Sequence, residues 1–139
     1  MQVEIRRLTA EDAAIFDRVA DGVFDEPIDR GRLGAYLAAP GHLMLVALRG
    51  DEVVAQVAAV VHRHPDKPSE LYIDEVAVAT ALQRQGIARR MLDEMFALGK
   101  ALGCEEAWVG TEHDNRPARG LYGSRHAEAE PFVMYVFRL

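Results

Sequence analysis

The chain has 139 residues and a formal net charge of −6, with 50% hydrophobic and 27% charged residues. This length suits one domain with one core, so we expect residues 1–139 to form a single domain. The acidic balance argues against a nucleic-acid or anionic-membrane surface and favours a cationic partner.

The composition also indicates a compartment. No apolar run is long enough to span a membrane, and the opening residues, MQVEIRRLTAED, lack the apolar core of a signal peptide. The single cysteine, Cys104, allows no internal disulfide. We therefore expect the protein to reside in the cytoplasm.

The first part of the chain favours a strand followed by two helices. Apolar and charged residues alternate in VEIRRL, which predicts a strand over residues 2–7. In LTAEDAAIFDRVADGVF, Thr9 suits a helix cap, and the apolar spacing predicts a helix that ends near Gly22. A shorter helix is predicted from about Asp29 to Ala38, where Pro40 stops it.

The middle of the chain favours three strands and a long helix. HLMLVALRGDEVVAQVAAVVHR predicts two strands joined by a turn at Gly50 and Asp51, and ELYIDEVAVA predicts a third. From Gly86 the apolar residues recur at spacings of three and four, which predicts an amphipathic helix closed by Gly103.

The last part of the chain contains three short segments. EEAWVGT predicts a strand, NRPARGLYG a short helix or turn, and FVMYVFRL a final strand. The order of elements indicates a mixed central sheet with helices packed against it, of the α/β or α+β class.

The segment LQRQGIARRML places Gln83, Gly86 and Ala88 where the long helix begins. The first N–H groups of a helix are unpaired and carry partial positive charge, so they attract phosphate groups. Gly86 removes a side chain where a ligand must approach. An ordinary strand-to-helix turn is the alternative, but positive charge opposes the helix dipole there. We favour an anion site, because three arginines surround the turn: Arg84, Arg89 and Arg90.

Residues 83–88, QRQGIA, match the signature Q/R-x-x-G-x-G/A, and the chain thereby resembles the GNAT superfamily of N-acetyltransferases. The preceding strand, LYIDEVAV, resembles the fourth strand of that family. The resemblance implies the GNAT fold over nearly the whole chain, with a splayed strand pair that forms the cleft for acetyl-CoA, the cosubstrate. Within the superfamily the chain looks most like the aminoglycoside 3-N-acetyltransferases.

The resemblance also assigns cofactor contacts. It implies that the signature wraps the pyrophosphate and that the preceding strand meets the pantetheine arm. The residues so assigned are Val76, Ala77, Val78, Gln83, Arg84, Gln85, Gly86, Ile87, Ala88, Arg89 and Asn115. Asn115 also suits a helix cap, and the two roles are compatible.

Three residues are candidates for the chemistry. Asp74 and Glu75 interrupt an apolar strand, where alternation predicts that they face opposite sides. The resemblance implies a carboxylate base at this place, Glu75 first and Asp74 second; either one could instead be a solvated charge. It implies that Tyr122 protonates the thiolate leaving group, whereas a half-buried core tyrosine is the alternative. The following loop, GSRHAEAE, departs from the usual LYxxxG of the family, which leaves the aim of Tyr122 open.

Carboxylates between the first two predicted helices border the acceptor site in the implied fold. We expect Asp25, Glu26 and Asp29 to bind a cationic amine, although a charged loop is usually only solvated. The expected acceptor is a small aminoglycoside-like molecule, which would connect the enzyme with antibiotic resistance. The alternatives are another amine (a polyamine, an amino-acid metabolite or a protein N-terminus) or an acyl-CoA sensor without turnover.

Other features are given simpler interpretations. His62, His64 and His113 have no carboxylate or cysteine at ligand spacing, so no metal site is expected. Cys104 suits a small buried thiol. Members of the family often form homodimers, and FVMYVF could pair with a second copy, although a central strand would have the same pattern.

Overall fold

A mixed sheet organises the computed structural model, which describes residues 2–139. Within that range the sheet has five strands, hydrogen-bonded in sequence order. The first four are antiparallel and the fifth runs parallel to the fourth. The strands are β1 (Glu4–Arg7), β2 (His42–Arg49), β3 (Glu52–His62), β4 (Glu70–Val78) and β5 (Glu106–Trp108).

Helices pack against this sheet and complete the predicted fold class. They are α1 (Arg30–Ala38), α2 (Ile87–Ala101) and α3 (Arg116–Gly123), with short 3-10 helices at Ala13–Asp17 and Thr80–Leu82. The expected second helix, the hairpin at Gly50, the third strand and the long helix are confirmed to within a few residues. None of the helices in the described part of the chain is long and apolar enough to cross a bilayer.

The core lies on β2 and β3 and under α2. Six consecutive residues of β2 are buried, so both faces of this strand are covered. The α2 helix contributes the side chains of Ile87, Met91, Leu92 and Met95. It can approach β4 closely because Gly99 has no side chain: a Cβ there would lie 2.7 Å from Cδ2 of Leu71.

The prediction of a first helix is wrong: only the short 3-10 helix Ala13–Asp17 forms in this part of the chain. The Asp12 carboxylate accepts hydrogen bonds from the Thr9 N–H at 2.7 Å and from the Arg6 guanidinium at 2.6 Å. The chain then becomes extended, and Val19 forms an isolated parallel bridge with Val53. Pairing with β3 satisfies the backbone groups that a helix would have satisfied.

The predicted final strand is also not formed. Residues 132–139 have no strand hydrogen bonds within the described chain, and the side chains of Phe132–Phe137 are 68–82% exposed. An apolar pattern predicts that a segment can form a strand, but a strand also requires a partner edge.

A glycine contact holds the segment before α1 against the end of β4. Gly22 has a φ of +88°, and a Cβ there would lie 2.5 Å from Oγ1 of Thr80. The Thr80 N–H donates a hydrogen bond to the Asp21 carbonyl at 3.2 Å. The backbone conformation and the close approach both require glycine.

We therefore expect Gly22→Ala to lower the free energy of unfolding by about 2 kcal/mol. Gly34→Ala is the matched control, because Gly34 has a helical position in α1 and no atom within 4 Å of its added Cβ. This control should be neutral or stabilise by up to about 1 kcal/mol. Urea denaturation measures both, and equal effects would contradict the role of Gly22.

Candidate active site

The sheet opens between β4 and β5. The two strands pair from Glu70 with Glu106 to Tyr72 with Trp108, where the two aromatic rings stack with centroids 4.2 Å apart. Beyond Tyr72, β4 continues to Val78 with β3 as its strand partner within the described chain. The other edge of β4 therefore offers backbone N–H and C=O groups to a ligand, and the predicted splayed pair is confirmed.

The turn that leads from β4 into α2 has two left-handed residues. Arg84 has a φ of +66° and Gly86 a φ of +81°. Gly86 is the N-cap of α2 and its carbonyl accepts the Arg90 N–H at 3.2 Å. A Cβ on Gly86 would meet nothing within 4 Å, so its backbone conformation, rather than crowding, favours glycine here.

The start of α2 has the properties of an anion site. No side chain caps its first N–H groups, and its first turn contains no acidic residue. Gln83 binds the turn to the end of β4, because its Nε2 lies 3.4 Å from the Val78 carbonyl oxygen. The Ile87 side chain is buried in the core, so only its backbone can meet a ligand. Unpaired N–H groups beside exposed arginines attract phosphates.

A β-bulge reorients the two candidate bases. Ala58 pairs with Glu75 and Ala59 with Ile73, so Asp74 is the extra residue on β4. The strict alternation predicted for Asp74 and Glu75 is interrupted there, and both residues reach solvent although their carboxyl groups are partly buried. Bulges often aim side chains beside active sites in this way.

The environment of the bulge makes both carboxyl groups better bases. Partial burial of the carboxyl groups raises the pKa of Glu75 and the pKa of Asp74. A hydrogen bond from Gln56 opposes the shift in the pKa of Glu75, whereas the charges of Asp74 and Asp25 add to it. A raised pKa brings a carboxylate closer to the proton affinity that deprotonation of an amine requires.

Two residues that sequence reasoning missed complete this cluster. Gln56 is fully buried, and its Nε2 donates to Oε1 of Glu75 at 3.1 Å and to the Val23 carbonyl at 3.3 Å. The Tyr36 hydroxyl donates to the Leu43 carbonyl at 3.3 Å. Burial and the charges of Asp74 and Glu75 raise the pKa of Tyr36 to about 12. Gln56 could have been noticed in the sequence, because it is the one polar residue in the apolar run VVAQVAAVV. No sequence pattern distinguishes Tyr36.

The predicted acceptor-binding carboxylates separate into different environments. Asp25 lies close enough to Glu75 to raise its pKa, and Glu26 is exposed. Asp29 is the N-cap of α1, where its Oδ1 accepts the Arg32 N–H at 2.9 Å. Of the three, Asp25 therefore belongs to the Glu75 cluster, whereas the Asp29 carboxylate caps α1.

The remaining candidates lie on α3. Asn115 is its N-cap, and Oδ1 accepts the Ala118 N–H at 3.2 Å, as the capping interpretation predicted. Tyr122 is half-buried against the core, and burial raises the pKa of its hydroxyl, so the hydroxyl is protonated at neutral pH. The loop after Tyr122 is fastened to α2 by Arg125, whose Nε lies 2.9 Å from Oδ1 of Asp93.

Comparison with protein families identifies the architecture. Residues 7–126 match the sequence model of the acetyltransferase (GNAT) family. The chain belongs to this family. It is thus an N-acetyltransferase that uses acetyl-CoA, as the signature at residues 83–88 predicted. No curated protein sequence matches the chain significantly.

Solved structures agree with this assignment. An aminoglycoside acetyltransferase from an uncultured soil metagenomic sample has a TM-score of 0.82 and 23% identity, over 100% of this chain and 99% of the other. A second one, in complex with sisomicin, has a TM-score of 0.80 and 23% identity over 99% and 95%. AAC(6')-Iy, in complex with a CoA bisubstrate analogue, has a TM-score of 0.80 and 16% identity over 100% of both chains. At these identities the likeness establishes the fold.

The left-handed start of α2 gives a direct prediction for cosubstrate binding. We expect Gly86→Ala to weaken acetyl-CoA binding at least about tenfold, because alanine disfavours the φ that opens the helix N-terminus to a phosphate. Gly103→Ala is the matched control: its φ is +92°, its added Cβ is also free, and it lies beyond the other end of α2. Calorimetry should show normal acetyl-CoA affinity for this control, and equal losses in the two variants would contradict the assignment.

Proposed function

We propose that this N-acetyltransferase acts on a primary amine of a small polycationic molecule of the aminoglycoside kind. The observation that carries the proposal is the convergence of carboxylates at the bulge, where Asp74 and Glu75 are consecutive exposed residues of β4 and the charge of Asp25 reaches Glu75. Several negative charges on one cleft wall attract a molecule with several ammonium groups. The solved relatives named as aminoglycoside acetyltransferases support this choice.

The residues of the bulge suit direct transfer within a ternary complex. Glu75, oriented by Gln56, removes a proton from the ammonium group, with Asp74 as the second candidate base. The amine nitrogen then bonds to the thioester carbonyl carbon, and the carbon–sulfur bond breaks. Tyr122 gives its proton to the departing thiolate, and the second proton that the nitrogen loses on becoming an amide restores the Tyr122 hydroxyl. Alignment of the two substrates contributes much of the rate, on the order of 7–11 kcal/mol in well-oriented reactions.

Acetyl-CoA is held by the open edge of β4 and by the start of α2. The backbone groups of Val76, Ala77 and Val78 meet the pantetheine arm, and an N–H among them stabilises the oxyanion. Residues 83–89 bind the pyrophosphate, and Asn115 offers its amide nitrogen to the cofactor. Asp25 and Glu26 receive the cationic acceptor, with Asp29 at the margin of the same surface.

We infer further that residues 1–139 act as one catalytic domain in the cytoplasm and that acetylation of the 3-amino group inactivates the antibiotic. The absence of a disulfide partner for Cys104 supports a reducing compartment. Since the fold is shared with AAC(6')-Iy, the fold alone does not select the 3-amino group. NMR of the acetylated product distinguishes this position from the 6′-amino group.

The test of the proposal is CoA release from acetyl-CoA, followed with a thiol reagent across aminoglycosides, spermidine and short peptides. Selective turnover with aminoglycosides is the expected result. Turnover with another amine would overturn the acceptor assignment. Tight acetyl-CoA binding without any turnover would instead identify an acyl-CoA sensor.

The assignment of the base predicts a change in rate and in pH dependence. Glu75→Gln should lower kcat by about 100-fold or more, with Asp74→Asn as the comparison, while acetyl-CoA affinity is kept. Because the base must be ionised and its pKa is raised, wild-type activity should rise with pH through a value above the ordinary range of glutamate. This acidic limb should disappear in Glu75→Gln.

Glu94→Gln is the control for the loss of one charge, because Glu94 is exposed on α2. Its kcat and pH profile should match those of the wild type. If Asp74→Asn removes the acidic limb and Glu75→Gln does not, Asp74 is the base.

We also infer that the chain forms a homodimer through residues 132–139. If this segment formed a strand, both of its faces would be apolar. Phe132, Met134 and Val136 would lie on one face, and Val133, Tyr135 and Phe137 on the other. Such a strand is buried on both faces. The Phe132 ring lies against Gly110, just beyond β5, whose outer edge has no strand partner in the described chain. If residues 132–139 of each copy paired with the β5 edge of the other copy, the backbone N–H and C=O groups of both segments would be hydrogen-bonded.

Sedimentation of the wild type and of the double variant Met134→Lys, Val136→Lys tests this assembly. The wild type should sediment as a dimer and the variant as a monomer, because two buried lysines oppose strand pairing. Glu128→Lys, in the preceding exposed segment, should remain a dimer. A wild-type monomer with hydrogen-exchange protection over residues 133–137 would show that the segment pairs within its own chain.

A further inference from the structure

Two histidines and a glutamate meet at the end of the β3–β4 pair. His62 and Glu70 are direct partners in the antiparallel register, so their side chains lie on the same face of the sheet. His64 follows two residues after His62, and the two imidazole rings lie with their centroids 4.3 Å apart. Oε2 of Glu70 is 2.9 Å from Nε2 of His64 and 3.9 Å from Nδ1 of His62.

This cluster is not recognisable from the sequence. The two histidines have no carboxylate at ligand spacing along the chain, and for this reason the sequence alone predicts no metal site. The turn over residues 63–69 reverses the chain and returns Glu70 to His62. Among the described residues, these three each place one ligand atom within 4.8 Å of the others.

We propose that His62, His64 and Glu70 bind one Zn²⁺ ion. Imidazole nitrogens and a carboxylate oxygen are a donor set that zinc prefers and that Mg²⁺ and Ca²⁺ do not. In a tetrahedral zinc site with bonds of about 2.0–2.2 Å, ligand atoms lie roughly 3.3–3.6 Å apart. The distances of 2.9 and 3.9 Å lie on either side of that range. All three ligand atoms lie within 4.8 Å of one another, so side-chain rotations would bring them to zinc distances.

The exposure of the three side chains fits an accessible, partly organised site. The His64 side chain is 14% exposed and the Glu70 side chain 27%, whereas that of His62 is 54% exposed. Two ligands are thus held by the protein, and the third can rotate to close around an entering ion. Three protein ligands leave a position for water.

The position of the cluster indicates a structural effect. Glu70 precedes Val76 by six residues along β4, which corresponds to about 20 Å of extended strand. The ion would join the end of β3 to the start of β4 and hold the connecting turn. The metal site is therefore separate from the acetyl-transfer chemistry, and its test does not depend on turnover.

Zinc titration of the full-length protein, in competition with a chromophoric chelator, tests the proposal. We expect one Zn²⁺ per chain, no displacement by excess Mg²⁺, and a zinc-dependent rise in Tm. His62→Ala and Glu70→Gln should each weaken binding at least about tenfold, since even changes to outer-shell partners of metals cost that much. His113→Ala, which removes an exposed histidine from another loop, should bind zinc like the wild type.

Substitution with Co²⁺ provides a second measurement. The visible d–d bands of bound Co²⁺ report imidazole and carboxylate ligation, and they should disappear in His62→Ala. Circular dichroism of each variant shows whether the fold is kept. The proposal is overturned if the folded wild type does not bind zinc saturably. It is also overturned if the double variant His62→Ala, His64→Ala retains wild-type affinity.

Discussion

The divergence of β4 from β5 after Tyr72 is the constraint on which the rest of the structure depends. Unpaired backbone groups at the edge of a sheet are costly when they are buried, on the order of 1–3 kcal/mol for each group. A strand that continues without a neighbour therefore needs water or a ligand on its open side. In this protein the open edge runs directly into the turn that begins α2, so a single ligand can meet both features.

The two ends of this region carry opposite electrostatic character. The bulge at Asp74 and Glu75 concentrates negative charge, whereas the start of α2 combines unpaired N–H groups with exposed arginines. A polyanionic acyl donor and the cationic acceptor that we propose would thus be attracted to opposite ends of this region. This separation keeps the donor phosphates away from the carboxylates, where like charges would repel each other.

Gln56 connects the candidate base Glu75 to the core. A buried amide without partners would be destabilising. The two hydrogen bonds that Nε2 of Gln56 donates to Glu75 and to the Val23 carbonyl offset part of that cost, whereas its buried Oε1 accepts no hydrogen bond among the described residues. The same bonds restrict the orientation of the Glu75 carboxylate, because the β3 backbone around Gln56 is fully enclosed. Rigid support of this kind gives a candidate base a defined direction.

Local patterns in the sequence determined the strands β1–β5, the helices α1 and α2, and the turn at Gly86, because these depend on periodicity, capping residues and the left-handed preference of glycine at position 86. The tertiary structure decided what depends on a partner distant along the chain. Val19 pairs with Val53 and replaces a predicted helix, and residues 132–139 have no strand edge within the described chain. The bulge brings the charges of Asp74 and Glu75 within electrostatic reach of Tyr36, and the β3–β4 register places Glu70 beside His62. Neither of these two juxtapositions could be derived from spacing along the chain, because strand register is set by packing across the whole sheet.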